Sequence, residues 1–199
     1  MPRPEITELN RRAVQASVEV VCLVTAEDLG RPTPCSQWSL GELLEHMTVQ
    51  HRGFAAAAAG RGADPEVWQA GPPAADPVGT YAEAADAVLA AFAEDGAAGR
   101  QFALPEIATG MTFPGRQAMA FHLVDYVVHG WDVARCLGAG FEPDPDVLAV
   151  ALKVARTVPD GPRRLEPGSA FRPAVAAPGQ AGPLDQIVAL LGRSPDWPR

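Results

Sequence analysis

An all-α fold, a four-helix bundle with short extra helices and a Pro-rich C-terminal extension, is what the sequence predicts. Three observations predict it. Apolar residues recur at helical spacing over four long segments, Gly and Pro cluster at the breaks between them, and strand-like alternation is confined to one short stretch. Residues 5–29 form the first segment, with Ile6, Leu9, Val14, Val18 and Val21 in helical register and Gly30 and Pro32 closing it. After the loop TPCSQW (33–38), Ser39 and Glu42 make a capping box, in which the Ser hydroxyl caps a free amide and the Glu reaches back. The helix it starts runs to about Gly60. Residues 60–77, GRGADPEVWQAGPPAADP, read as a loop, and 78–95 as a third amphipathic helix. QFALPEIATGMTFPG (101–115) has room for a modest hairpin, limited by Pro105 and Pro114. The fourth helix runs from about 115 to 138, a further helical segment covers 144–157, and LDQIVALLGR (184–193) is a last short helix.

Composition narrows the function classes. The chain has 199 residues, is 47% hydrophobic and carries a formal charge of −8, with a pI near 4.9 and a mean hydropathy near zero. This size suits a single domain, 1–199, with a bundle core over about 5–140 and an extension over 141–199. Residues 153–199 hold seven Lys/Arg against four Asp/Glu and little apolar content, so the extension is expected to lie against the bundle. An acidic chain lacks the basic patch that nucleic acid requires, and no run of about 18 uncharged apolar residues suggests a membrane span. MPRPEITELNRR moves straight into mixed charge, unlike a signal peptide. Cys22, Cys35 and Cys136 are widely spaced with no CxxC, which fits reduced thiols and a cytoplasmic location. There is no Gly-rich phosphate loop, and no Ser lies in a nucleophile elbow.

The fourth helix carries the chemistry. Its stretch FHLVDYVVHGWDVARCLG (121–138) is mostly apolar, yet it contains His122, Asp125, His129 and Asp132. At about 100° per residue, His122 and His129 lie roughly 20° apart, Asp125 about 60° to one side, and Asp132 and Cys136 in the same sector. A solvated face normally uses Glu, Lys and Arg; this one uses His and Asp on a helix apolar almost all round. Buried Asp is costly unless it is paired or bound to a cation. Asp125 and His129, one turn apart, can both reach a single ion. His46, in LLEHM of the second helix, is the candidate third ligand. His51, five residues on and about 140° around the wheel, cannot face the same point. Cys136 reads as core packing, with a soft ligand or free thiol as the alternative.

TPCSQWSLGELLEHM, followed at a distance by HLVDYVVHGWDVARCLG and by the ending LLGRSPDW, resembles the DinB-like superfamily. Within it, the resemblance is to the branch related to the N-terminal domain of mycothiol-dependent maleylpyruvate isomerase. It implies a four-helix bundle holding a divalent metal on one His of the second helix and a carboxylate/His pair of a later one: here His46, Asp125 and His129, with Asp where Glu is common. His122 is then a fourth ligand, a general base or a neighbour, and Asp132 a group that orients His129 through its second ring proton. The resemblance also implies mycothiol as a thiol partner, activated at the metal's open position toward a small electrophilic substrate, in a transferase or isomerase. The isomerase carries a further sterol-carrier-like domain, for which this chain is expected to be too short. Two other readings stand beside it: a metal-dependent hydrolase with His122 as base, and a non-catalytic metal-binding bundle, with a homodimer open in either case. Zinc is the first expectation for the metal, with nickel or iron also compatible with His/His/carboxylate.

Overall fold

The computed structural model describes residues 4–36, 38–166 and 169–198. Met1–Arg3, Gln37 of the TPCSQW loop, Pro167 and Gly168 of the Pro-rich stretch, and Arg199 lie outside the described residues. The described residues form α1 (Ile6–Val21), α2 (Leu40–Ala58), α3 (Pro77–Ala93), a hairpin of β1 (Gln101–Ala103) and β2 (Thr112–Pro114), α4 (Gly115–Leu137), α5 (Pro145–Ala155) and α6 (Pro183–Leu190). The all-α fold expected from the sequence is therefore the fold observed, with α1 lying along α4 and α2 along α3.

The helix boundaries have local causes. The Ser39/Glu42 capping box is present: the Glu42 amide donates to Ser39 Oγ, and the Ser39 amide donates to Glu42 Oε2 at 2.8 Å. Asp76 caps α3 through the Gly79 amide, with Pro77 at the first helical position. α4 ends at Gly138, whose φ of 70° is the left-handed cap conformation that glycine adopts at no steric cost. The first helix differs from expectation, stopping at Val21 rather than continuing toward residue 29. Thr25 and Asp28 form a capping box of their own, with the Thr25 amide and hydroxyl both donating to Asp28 Oδ2, and this starts a separate 3-10 turn at Ala26–Asp28. The hairpin is as small as its prolines require, Phe102 pairing with Phe113 in a three-residue antiparallel ladder.

Three apolar clusters fill the interior. One joins α1, α2, α3 and α4 through Val14, Leu43, Leu44, Met47, Tyr81 and Tyr126. A second joins α4 to α5 and α6 through Leu123, Val127, Val147, Ala151, Ile187 and Leu191. The third lies under the hairpin around Phe92, Phe102 and Met119. α4 contributes to all three, and every residue from Tyr126 to Ala134 is buried. No helix among the described residues is long and apolar enough to cross a membrane.

Leu123 is fully buried in the second cluster. Leu123→Ala is expected to lower the unfolding free energy by about 2–5 kcal/mol, the range for a leucine removed from a packed core, measured by urea denaturation.

Candidate metal centre

The polar residues of α4 are separated into two levels by their partners on α2, which runs antiparallel to it. At the lower level, His46 of α2 and Asp125 and His129 of α4 each offer a ligand atom, all within 4.8 Å of one another. His129 Nε2 lies 3.4 Å from Asp125 Oδ1. Two donors bound to one ion at about 2.1 Å in a tetrahedral arrangement stand about 3.4 Å apart, so this pair is already spaced for a shared cation. The donor set is therefore one that fits a divalent metal.

The charge states suit the same role. His46 is lowered to about 3 by burial first, then by the proximity of His129 and Arg193, so its imidazole is neutral and its lone pair available at physiological pH. Trp38 stacks on it, with ring centroids 4.3 Å apart. The Asp125 carboxyl is pushed up by burial and by Asp132, against the lowering effects of His129 and Arg193. A half-buried carboxylate with that balance favours a cation beside it. Behind His129, its Nδ1 lies 3.0 Å from Asp132 Oδ2. Burial opposes the Asp132 charge, but Arg193 and the bond to His129 hold its carboxyl below the usual range. An ionised Asp132 accepts the Nδ1 proton and leaves the Nε2 lone pair facing Asp125.

Arg193, just beyond α6, completes this arrangement. It is buried; Nη2 donates to Asp132 Oδ2 at 3.3 Å and Nη1 to the Leu191 carbonyl at 2.9 Å. Gly192 makes the approach possible: its φ is 82°, and a Cβ there would meet the Arg172 carbonyl oxygen at 2.5 Å. Neither Arg193 nor Trp38 was assigned a role from sequence. Trp38 had a positional signal, standing immediately before the Ser39 cap that starts the helix of His46. Arg193 stands in the LLGRSPDW ending, but no local pattern gives its partner, because only folding brings it to a residue 61 positions away.

The second level holds His122. Its Nε2 lies 3.1 Å from His51 Nδ1, and its Nδ1 3.0 Å from Asn10 Nδ2 of α1. Asn10 Nδ2 also donates to the Met119 carbonyl. An amide donor at Nδ1 places the His122 proton on Nε2, from which it donates to His51. Tyr126, Phe54 and Phe92 enclose the ring. His122 is fully buried and belongs neither to the ligand cluster nor to the pocket beside it. His122 and His129 share an angular sector, but seven residues of rise separate them by about 10 Å. At that height α1, α2 and α3 close over the helix. Cys136 is half-buried against the apolar cluster at the end of α4, away from the ligands.

The cluster opens into a pocket of about 580 Å³. Its walls are mainly apolar, including Phe54, Trp68, Leu104, Phe121, Val124 and Phe171. Two polar groups missed in the sequence face it. Glu106, in the loop between the hairpin strands, accepts a hydrogen bond from Gln50 Nε2 of α2. Burial pushes the Glu106 carboxyl up, with Asp125 adding to the rise and the Gln50 bond opposing it. A lone Glu in LPEIATG has no periodicity to mark it, and Gln50 lies on an unremarkable turn of its helix.

Comparison with known proteins follows this geometry. The model of the mycothiol maleylpyruvate isomerase N-terminal domain matches residues 10–134. Two uncharacterized proteins of Mycobacterium tuberculosis, from strains CDC 1551 / Oshkosh and ATCC 25618 / H37Rv, are each 32% identical over 194 residues, covering 93% of this chain and 96% of the relative. The crystal structure of the mycothiol-dependent maleylpyruvate isomerase superposes with a TM-score of 0.61 at 17% identity, covering 94% of this chain and 88% of that one. A mutant of that enzyme superposes with a TM-score of 0.60 at 15% identity. At these identities the structural likeness is one of fold.

Two outcomes are expected from the buried charges. Arg193→Met leaves Asp132 ionised and buried without its cation, lowering stability at pH 7 by about 3–5 kcal/mol. Because the folded-state pKa of Asp132 is depressed, the wild-type advantage is present above its unfolded value of 3.8 and is lost as pH falls through the folded value. The two denaturation curves should therefore converge below about pH 4. His122 is lowered to about 3, and His51 is held well below 6.5, both chiefly by burial. As pH falls below 6.5 the unfolded chain takes up protons that the folded chain refuses, so stability falls by up to about 1.4 kcal/mol per pH unit for each histidine. In urea titrations of metal-free protein, His122→Gln should make that slope shallower.

Proposed function

The chain belongs to the mycothiol maleylpyruvate isomerase N-terminal domain family, and from that premise we propose that it is a divalent-metal protein that uses a small-molecule thiol, mycothiol in the first instance, to attack a small electrophile. The reaction class is transfer or isomerisation: the thiol gives up its proton to solvent water, and its sulfur bonds to an electrophilic carbon. A leaving group then departs, or the sulfur is later expelled from a rearranged adduct. The observation that carries this reading is the convergence of His46, Asp125 and His129 at the floor of a pocket large enough for a small substrate.

His46, Asp125 and His129 would hold the metal, which when bound would supply Lewis acidity that makes a thiol nucleophilic near neutral pH. The chain's own residues do the rest. His46 supplies a neutral imidazole whose plane is fixed by Trp38. His129 offers Nε2 because Asp132 holds Nδ1, and Arg193 holds Asp132 in turn. Asp125 supplies the one negative charge among the proposed ligands. The aromatic and aliphatic walls limit water around the site, so that the electrophile meets the thiol sulfur rather than being hydrolysed. Zinc suits two imidazoles and a carboxylate, and nickel and iron suit them as well. None of the three cysteines forms a disulfide, in keeping with the reduced cytoplasm proposed as its location. The hydrolytic reading relied on His122 as base, and a His122 enclosed by Asn10 and His51 gives that reading no support.

Metal analysis of purified protein should find about one zinc, nickel or iron per chain, carried by His122→Gln but absent from Asp125→Ala and His129→Ala. Metal retained at full stoichiometry by both Ala variants would overturn the ligand assignment. Incubated with mycothiol and bromobimane, the metal-loaded protein should form the thioether faster than the uncatalysed reaction, and His46→Ala should bring the rate down by about 100-fold or more, the scale seen when a nucleophile loses its activating group. Loss of metal without loss of the catalysed rate would count against a metal-activated thiol.

A further inference from the structure

The pocket beside the ligand cluster has an unusual charge inventory. Its ionisable lining groups are Glu106, Asp125, His46 and His129, and no lysine or arginine is among its described lining residues. The buried guanidinium of Arg193 faces Asp132 behind His129 and lines a separate small cleft with Cys35 and Arg172. The remaining wall is apolar apart from Gln50, Gln117 and Thr157. A carboxylate, sulfonate or phosphate entering this space would lose its water against phenylalanine, tryptophan and leucine and face Glu106 with no lysine or arginine on the wall to pair with it, the guanidinium of Arg193 being screened behind the Phe171 ring and committed to Asp132. With a metal present, one anionic group could bind at the floor; a second, further out, would still have no partner.

We infer that the pocket receives an uncharged, largely apolar molecule, whose polar end is addressed by the Gln50–Glu106 pair, and that it discriminates against dicarboxylates and other anions. This rests on the pocket being where the electrophile of the proposed reaction binds. Gln50 and Glu106 come from different elements, α2 and the hairpin loop, and their hydrogen bond fixes a donor and acceptor on the pocket wall. Gln50 retains its amide oxygen as an acceptor, and Glu106 retains a second carboxyl oxygen. A hydroxyl, amide or carbonyl on an otherwise apolar ligand can pair with such a wall without carrying a charge. Specificity then comes from repulsion as well as fit: a carboxylate on the substrate meets a like-charged or proton-sharing carboxyl group instead of an arginine.

The test reads binding alone, without thiol or turnover, so its result is independent of whether the proposed chemistry occurs. Two fluorescent probes of matched shape are titrated into metal-chelated and zinc-loaded protein: N-phenyl-1-naphthylamine, which is neutral, and 8-anilino-1-naphthalenesulfonate, which adds one sulfonate. The neutral probe should bind at least about tenfold more tightly in the metal-chelated protein, the scale of a like-charge or unpaired-charge penalty, and zinc, which can take the single sulfonate, should narrow that gap. Glu106→Gln removes the carboxyl charge from the wall and should strengthen sulfonate binding severalfold, narrowing the ratio between the two probes. Ile107 also lines the pocket and is half exposed, so Ile107→Arg can supply the missing cation without burying it. That variant should raise sulfonate affinity by about tenfold. Equal or tighter binding of the sulfonate by the metal-chelated, unsubstituted protein would overturn the inference. So would sulfonate affinity that responds to neither substitution.

Discussion

From His122 to Ala134 α4 is buried almost all round, and the polar groups of that stretch must therefore find partners inside the protein. That constraint organises the molecule. Tyr126 sends its hydroxyl to the Met47 carbonyl. His122 is held between Asn10 and His51. Asp132 is held between His129 and Arg193. Asp125 and His129 are left facing each other and His46, and a cation is the partner that their chemistry calls for. These pairings tie α4 to three parts of the chain, so satisfying its polar groups also fixes the packing of α1, α2 and the segment after α6.

The antiparallel run of α2 against α4 separates a level that opens into the pocket from one that is closed. His46 meets His129 where the bundle opens into the pocket, and His51 meets His122 where it is closed. Tyr126 stacks on His51 at 3.8 Å between centroids and stands between the two levels. Two histidine pairs of similar composition thus have different fates, decided by solvent access and by the carboxylate at hand. The lower pair has Asp125 beside it and a cavity in front. The upper pair has an amide and three aromatic rings, which keep it neutral and out of reach.

Much of the bundle was legible because its signals are local. The Ser39/Glu42 capping box acts through neighbours within four residues and stands where the sequence put it; the Asp76–Pro77 start of α3 and the Gly138 cap are as local, and they fall within a residue of the expected helix bounds. The overlong first helix has the same kind of cause, since the Thr25/Asp28 box was a local signal left unread. In the site, Asp125 and His129 were legible because one turn of helix brings them together whatever surrounds it. His122 shows the limit of that reasoning: a helical wheel records angle and discards height, and the neighbours of a side chain depend on both.

The sequence by itself determined the elements, the apolar faces and the pairing of Asp125 with His129, because these depend on periodicity and on contacts within a turn. Only the tertiary structure decided which histidine meets which, since that follows from how α2 lies on α4. It alone placed Arg193 behind Asp132 and Glu106 beside Gln50, because no local pattern relates residues so far apart in the chain. The charge of the pocket belongs to the same class. It is a property of which side chains converge on one volume, and that is set by packing rather than by any stretch of sequence.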